Sequence, residues 1–159
     1  MRQYELIFAV DELSDATVTA VYESFDALYA RHGDTFLFTV TQDGESAQDA
    51  ATRAVGSLEE QGVRIQRLCE DFVDRGDIAE RAGTTVQAVG QWIRRDRLKN
   101  APFPEPYSFV SGGIWLWGDV NDWLRRVGKD ADEQHYPGWQ DVAEVNTWLT
   151  TRLADNAFA

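Results

Sequence analysis

Three short apolar runs in the first 73 residues predict β-strands. Tyr4 to Val10 and Thr35 to Thr41 are rich in strand-forming residues, and polar or glycine-containing turns border the second run. Val63 to Leu68 alternates apolar with polar residues, as a strand with one buried face does. The pattern leaves open an extra short strand near Tyr29. These runs together predict a small sheet.

Two amphipathic helices are predicted between these strands. Ser14 or Asp15 can cap the first helix; Ser46 can cap the second, which runs to about Gln61 and is stopped by Gly62. The inward-facing positions are Val18, Val21, Tyr22, Phe25 and Leu28 in the first helix, and Ala47, Ala50, Ala51, Ala54, Val55 and Leu58 in the second. The alternation predicts an α+β fold whose first domain, residues 1–73, is a small α/β sandwich, ferredoxin-like in outline.

A second domain is predicted for residues 74–129, where strand alternation gives way to two closely spaced helices. Helical spacing covers Asp74 to Ala82 and Thr85 to about Arg97, with only Gly83 and Thr84 between them. The three prolines of residues 100–106 predict an extended segment. So short a connection between the helices means that they must pack directly against each other.

A hairpin and two further helices are predicted after the proline-rich segment. Tyr107 to Val110 and Ile114 to Trp117 are strand-like and are joined by a turn. Asp119 can cap the next helix, and residues 130–159 predict a polar loop and then a helix from Gln140 to about Leu153. We expect the apolar stripe of that last helix, which includes Trp148, to pack across the two domains or to form a dimer contact.

Charge and cysteine content narrow the class of protein. The 159 residues carry 15 Lys plus Arg against 27 Asp plus Glu, a net charge of −12. The charge is segregated, because residues 1–73 sum to −9 whereas residues 74–101 sum to +2. The single cysteine excludes an intrachain disulfide, and the first residues contain no apolar stretch long enough for a signal peptide or a membrane span. We therefore expect a cytoplasmic protein without a membrane partner.

The two adjacent helices carry the motif that indicates a function. Ala79, Gly83 and Val89 follow the spacing of Ala, three residues, Gly, five residues, apolar residue, which lets two helices cross at a steep angle. This resembles the helix-turn-helix of bacterial transcription regulators. The segments FPEPY, SGGIWLW and GDVNDWL that follow resemble the wing and next helix of MerR-type and excisionase-like winged-helix proteins of bacteria and phages.

The resemblance implies a double-stranded DNA partner and a set of contact residues. It matches Thr85, Gln87, Gln91 and Arg94 to positions facing the bases or the groove, and it matches Thr84, Arg95, Arg97, Lys99 and the predicted wing tip Ser111, Gly112 and Gly113 to positions that contact phosphate. One departure is that this predicted wing tip has no Arg or Lys, where many family members carry one.

Elementary chemistry agrees with that assignment. A glutamine amide can pair with adenine, an arginine guanidinium with guanine, and a threonine can contact the thymine methyl group. Outward positions on the second helix are expected at Thr85, Gln87, Gly90, Gln91 and Arg94. The acidic remainder of the chain opposes non-specific coating of DNA, so the charge pattern favours specific binding.

Other function classes were weighed against this one. His32, His135, Cys69 and the adjacent pair Glu70 and Asp71 form no recognisable catalytic motif, so we expect neither an enzyme nor a metal or cofactor site. The expected function is sequence-specific transcription regulation, with a homodimer reading paired half-sites. Two alternatives stay open: an excisionase-like recombination accessory factor, and a protein-interaction module in which the acidic domain captures a basic host protein.

Overall fold

The computed structural model describes residues 1–95 and 101–157, without the side chains of Arg95 and of residues 153–157. The predicted α+β class is confirmed: the described residues form a four-stranded antiparallel sheet, a two-stranded sheet and six α-helices. They divide into two compact units. The first unit comprises Met1–Cys69 with Gln140–Ala159, and the second comprises Glu70–Trp139.

The first unit contains a four-stranded sheet in the spatial order β2-β3-β1-β4, with every neighbouring pair antiparallel. Its elements are β1 (Arg2–Val10), α1 (Asp15–Ser24), β2 (Ala27–His32), β3 (Thr35–Gly44), α2 (Ala47–Glu60), β4 (Ile65–Leu68) and α6 (Trp139–Ala157), which lies in this unit from Gln140 onward. The three predicted strands are all present. The short strand left open near Tyr29 is β2.

Helix α1 is shorter than its apolar spacing predicts. It ends at Ser24 because Phe25 has extended backbone angles (φ −132°, ψ 148°). Leu28, predicted on the buried helical face, lies instead on β2 and is 62% exposed. The Tyr22 hydroxyl accepts a hydrogen bond from the Tyr29 N–H at 2.9 Å and so links the helix to β2.

Tyr22, also predicted to face inward, is 44% exposed, whereas helix α2 follows its predicted pattern. Ser46 caps α2 by accepting a hydrogen bond from the Asp49 N–H, and all six predicted inward residues of α2 are buried. Helix α6 is held to the edge strand β4 by Asn146. Its side-chain oxygen accepts from the Leu68 N–H at 2.8 Å, and its side-chain nitrogen donates to the Leu68 carbonyl at 2.9 Å.

The second unit is built from short elements around an aromatic core. Its elements are β5 (Phe72–Val73), α3 (Arg75–Arg81), α4 (Val86–Arg95), β6 (Trp115–Leu116) and α5 (Trp117–Arg126). β5 pairs with β6, and the loop of residues 130–139 is bonded to α5 through Asn121, so both segments belong to this unit. The compact units therefore divide the chain at residues other than the predicted boundaries, 73/74 and 129/130.

Three buried tryptophans, Trp115, Trp117 and Trp123, organise that core. The Trp115 indole donates to the Pro104 carbonyl and the Trp123 indole donates to the Ala101 carbonyl, each at 2.9 Å. Their rings pack against Phe103 with centroids 5.7 and 4.9 Å away. The proline-containing segment is thus fixed by side chains instead of by a backbone ladder.

The predicted hairpin is wrong in its details. Ser108 and Ile114 form a single antiparallel bridge, and residues 110–112 form a 3-10 turn. The second predicted strand is reduced to β6, which pairs with β5. Because the Trp117 N–H bonds to the Asp71 carbonyl and α5 begins there, Asp119 lies inside the first turn and is not the cap.

Candidate nucleic-acid interface

Helix α3 is a short, well-capped support. Asp74 and Asp77 form a reciprocal capping box, with N–H to carboxylate distances of 2.8 and 3.0 Å. At its other end Arg81 donates two hydrogen bonds to Asp71, at 2.7 and 3.2 Å. This carboxylate raises the pKa of Arg81 above its ordinary value and keeps the guanidinium paired. The helix is therefore anchored to the residues preceding β5.

The connection between α3 and α4 has the geometry that its sequence predicts. Gly83 has φ +65°, a left-handed conformation that ends α3. The Thr84 N–H donates to the Ala79 carbonyl at 2.8 Å, and Ala79 and Val89 are buried. Because the Thr84 amide is occupied, a phosphate contact by Thr84, as the resemblance implies, would have to come from its hydroxyl.

Helix α4 begins at a threonine cap and divides cleanly into two faces. The Thr85 hydroxyl accepts a hydrogen bond from the Ala88 N–H at 3.1 Å, so it has a capping role in addition to its predicted exposure. Val89 is fully buried, and Trp92 and Ile93 are half-buried against the aromatic core. The opposite face turns to solvent.

We call the exposed side chains of Thr85, Gln87, Gln91 and Arg94 the α4 face. Gln87, Gln91 and Arg94 are spaced four and three residues apart, so they follow one side of the helix and line a shallow concavity. Three sequence-predicted residues are thereby brought together, and the fourth, Thr85, is exposed at the start of the helix. Exposure of these side chains is what any contact with a groove requires.

Gly90 is a correction to the predicted outward face, because it is buried. A Cβ on Gly90 would stand 3.7 Å from Arg75 Nη1 and 3.7 Å from Arg94 Nη2, so both guanidinium groups lie over it. Neither guanidinium has a carboxylate within salt-bridge distance among the described residues. Two neighbouring cations are thus presented without neutralisation on one surface.

Arg75 is the residue of this surface that the sequence pattern missed. It is the first residue of α3, where the positive end of the helix dipole disfavours a basic side chain. That conflict is the signal that could have identified it. Its Nε donates to the Gly112 carbonyl at 3.1 Å, and the side chain therefore bridges α4 and the segment predicted as the wing.

The remaining predicted contact residues differ in where they lie and in how exposed they are. Arg97 and Lys99 lie outside the described residues, as does the side chain of Arg95. Ser111 and Gly112 are exposed, but Gly113 is buried against the Trp115 ring, where a Cβ would come within 2.4 Å of a ring carbon. Contact between Gly113 and a phosphate is therefore excluded in this conformation, and the backbone of this turn has a structural role.

Residues weighed for other chemistry are dispersed in the described part of the chain. His32 is exposed on β2, whereas the His135 Nδ1 lies 3.0 Å from an Arg125 nitrogen in the second unit. Within residues 1–95 and 101–157, His, Cys, Asp and Glu side chains form no group of three or more that could hold a metal ion. None of the described helices combines the length and apolar character that crossing a membrane requires.

Comparisons with known proteins found no match to this chain. No protein-family model matches the chain. No curated protein and no solved structure matches it either. The function is therefore argued from the residues of the second unit.

Proposed function

We propose that this chain is a transcription regulator that binds double-stranded DNA sequence-specifically through its second unit, used as a winged helix-turn-helix. The first unit, in which β1 to β4 follow the element order β-α-β-β-α-β before α6 is added, would be a ferredoxin-like domain. One observation carries the proposal: Gln87, Gln91 and Arg94 form an exposed row on α4 beside the unneutralised guanidinium of Arg75.

The chemistry of that row fits the edges of base pairs in the major groove. The groove is about 12 Å wide and admits one α-helix, and the two glutamines can pair with adenine while Arg94 pairs with guanine. Thr85 stands at the start of the helix, where recognition helices contact bases. The α4 face thus supplies several donors and acceptors of different preference.

Contacts with phosphates would come from the cations around the row. Arg75 supplies one guanidinium, and the sequence adds Arg95 as the last residue of α4, followed by Arg97 and Lys99. The first unit has 6 basic and 15 acidic residues, a net charge of −9. Its repulsion of DNA would weaken binding that lacks base contacts and so raise the specificity ratio.

We further propose a homodimer on paired half-sites, since one recognition helix reads few base pairs. The apolar stripe of α6 does not supply the dimer contact, because its residues Val142, Val145 and Leu149 are already buried in the single chain. The test is light scattering with and without DNA, together with the symmetry of the selected site. A site without two-fold symmetry, bound by one copy, would contradict the dimer.

The decisive experiment is selection of bound duplexes from a random pool, followed by titration of the selected site. Arg94→Ala should weaken specific binding by about 1–3 kcal/mol and relax the preference at one position. Arg126→Ala is the matched control, because it removes the same charge. Arg126 is an exposed residue of α5 and lines neither concavity near α4. Equal losses of binding free energy in both variants would mean that Arg94 acts only through its charge and makes no specific base contact.

Mapping the selected sequence on a genome would separate the proposal from its nearest alternative. Sites at promoters support regulation, whereas sites at recombination attachment sequences support an excisionase-like accessory factor. A chain that retains no duplex at low salt would contradict both and favour the protein-interaction module.

A further inference from the structure

Two apolar side chains project from the turn between Ser108 and Ile114. Phe109 is 84% exposed and Val110 is 66% exposed, and Phe109 has the highest exposure among the large hydrophobic side chains of the described residues. We call this pair the apolar tip. A single exposed apolar residue is ordinary, but two adjacent ones at the end of a protruding turn point to a contact surface.

The backbone that carries the apolar tip is tightly fixed. Ser111, Gly112 and Gly113 have consecutive positive φ values of 55°, 81° and 120°, and the Gly113 N–H donates to the Val110 carbonyl at 3.0 Å. Arg75 bonds to the Gly112 carbonyl, and Gly113 lies directly against the Trp115 ring. Ordering this turn on binding would therefore cost little conformational entropy.

The apolar tip is continuous with the α4 face. Arg75 lines the concavity along α4 together with Gln87, Gln91 and Arg94, and it also lines a neighbouring hollow of about 190 Å³ whose rim includes Phe109. A partner lying across the α4 face would therefore meet the apolar tip next. The guanidinium of Arg75 between the two features, together with that of Arg94 on the α4 face, favours a polyanion as that partner.

The tip itself has no means of neutralising phosphates, since residues 107–114 carry no charge. Apolar side chains meet DNA productively in a different way: they enter the minor groove, separate a base step and kink the duplex. Flexible steps such as TA and CA/TG yield to such an insertion most readily.

We propose that the apolar tip is a wedge that inserts Phe109 into the minor groove beside the major groove occupied by α4, unstacking one base step and bending the duplex, with Val110 packing on the adjoining sugars. This inference rests on the proposed function and specifies how its wing would act. The uncharged tip is then a requirement for insertion and replaces the cationic wing of the proteins that the sequence resembles.

The test uses the full chain with its selected duplex, labelled at both ends for energy transfer and carrying 2-aminopurine at successive flanking steps. The wild type should shorten the end-to-end distance and raise 2-aminopurine fluorescence at one step. Phe109→Ala should abolish both signals and weaken binding roughly tenfold. Phe109→Leu, which keeps an apolar wedge, should restore part of each signal.

Two controls separate failure of this proposal from failure of the proposed function. Leu28→Ala, a change at another exposed apolar residue, should leave every signal unchanged. Arg94→Ala should relax the sequence preference at one position while keeping the wedge signal on the DNA that it still binds. Specific DNA binding by the wild type without a bend or an unstacked step would overturn the wedge and leave the proposed function standing. A bend and an unstacked step that are unaltered in Phe109→Ala would do the same. The wedge would also be overturned if Phe109→Ala weakened binding to a protein partner while DNA binding and bending stayed intact.

Discussion

The two units solve the same problem of satisfying backbone groups in different ways. In the first unit nine consecutive residue pairs join β1 to β3, so backbone ladders satisfy most of the sheet, and the core is built from Leu, Val, Ala and Phe with Tyr4 and Ile65. In the second unit β5 and β6 are two residues long. There the indoles of Trp115 and Trp123 bury large apolar areas and also donate to carbonyls. Where the ladder is short, the core side chains carry part of its hydrogen bonding.

The same contrast extends to charge. The first unit has a net charge of −9, whereas the second has 9 basic and 12 acidic residues and a net charge of −3. The second unit pairs Arg81 with Asp71, whereas Arg75 and Arg94 share one surface and have no carboxylate within salt-bridge distance in the described part of the unit. A nearly neutral unit can therefore present a cationic face when its ion pairs are placed elsewhere.

The largest expected effect is on the aromatic core. Trp123→Ala removes a side chain that is 1% exposed, together with its bond to the Ala101 carbonyl, and should destabilise the second unit by about 3–5 kcal/mol. Hydrogen exchange read by mass spectrometry should show lost protection in residues 70–139 and retained protection in residues 1–69. Trp139→Ala, at a 56% exposed tryptophan, is the control. Equal loss of protection in both units would mean that they unfold together, and it would contradict the distinction between their two cores.

A smaller loss is expected where a side chain completes the first unit's sheet. Asn146→Ala leaves the Leu68 N–H and carbonyl without their side-chain partners and should cost about 1–3 kcal/mol. Urea unfolding and the exchange rate of the Leu68 amide measure it. Thr150→Ala, on an exposed position of α6, should be neutral. An unchanged Leu68 exchange rate would show that the asparagine does not protect this edge.

Opposite signs are expected for the same substitution in the two units. Gly83→Ala places a side chain at φ +65° with open space around it, so strain alone should cost about 1–2 kcal/mol. Gly56→Ala fills an unobstructed position in α2 and should stabilise by about 0.5–1 kcal/mol. Thermal unfolding of both variants checks the pair. Destabilisation of similar size at both positions would contradict this account of Gly83.

The smallest effect concerns acid stability of the first unit. The Glu45 N–H and then Arg53 lower the pKa of Asp49 below its ordinary 3.8. The ionised carboxylate therefore contributes stability that is present above the unfolded-state pKa and is lost as pH falls through the lower folded-state pKa. The difference in melting temperature between wild type and Asp49→Asn should shrink below about pH 4. Asp43→Asn, at an exposed β3 carboxylate, is the charge-matched control; an identical pH trend in it would refute the assignment.

Sequence periodicity predicted the regular parts well and the irregular parts poorly. The six inward residues of α2 are all buried because that helix has a single apolar face. Leu28 was placed on a helix because its spacing from Val21 and Phe25 fits a helical stripe, and only tertiary pairing with β3 makes it part of a strand. A short apolar run is not long enough to distinguish the 3.6-residue period of a helix from the two-residue period of a strand.

The candidate interface shows the same division. The Ala79–Gly83–Val89 spacing predicted the turn, because a left-handed glycine and a small contact residue are local requirements. The burial of Gly90 and the position of Arg75 were not predictable in the same way. Both depend on side chains from separate elements meeting over one point, which no periodicity in a single segment records.

The order of the chain has a consequence for biosynthesis. The first unit is interrupted after Cys69 and is completed only by α6, so residues 70–139 leave the ribosome before the helix that covers Leu68. A nascent chain can therefore finish its later-starting unit first, while β4 waits with an uncovered edge open to other strands. Translation speed beyond residue 139 thus sets how long that edge is exposed to aggregation.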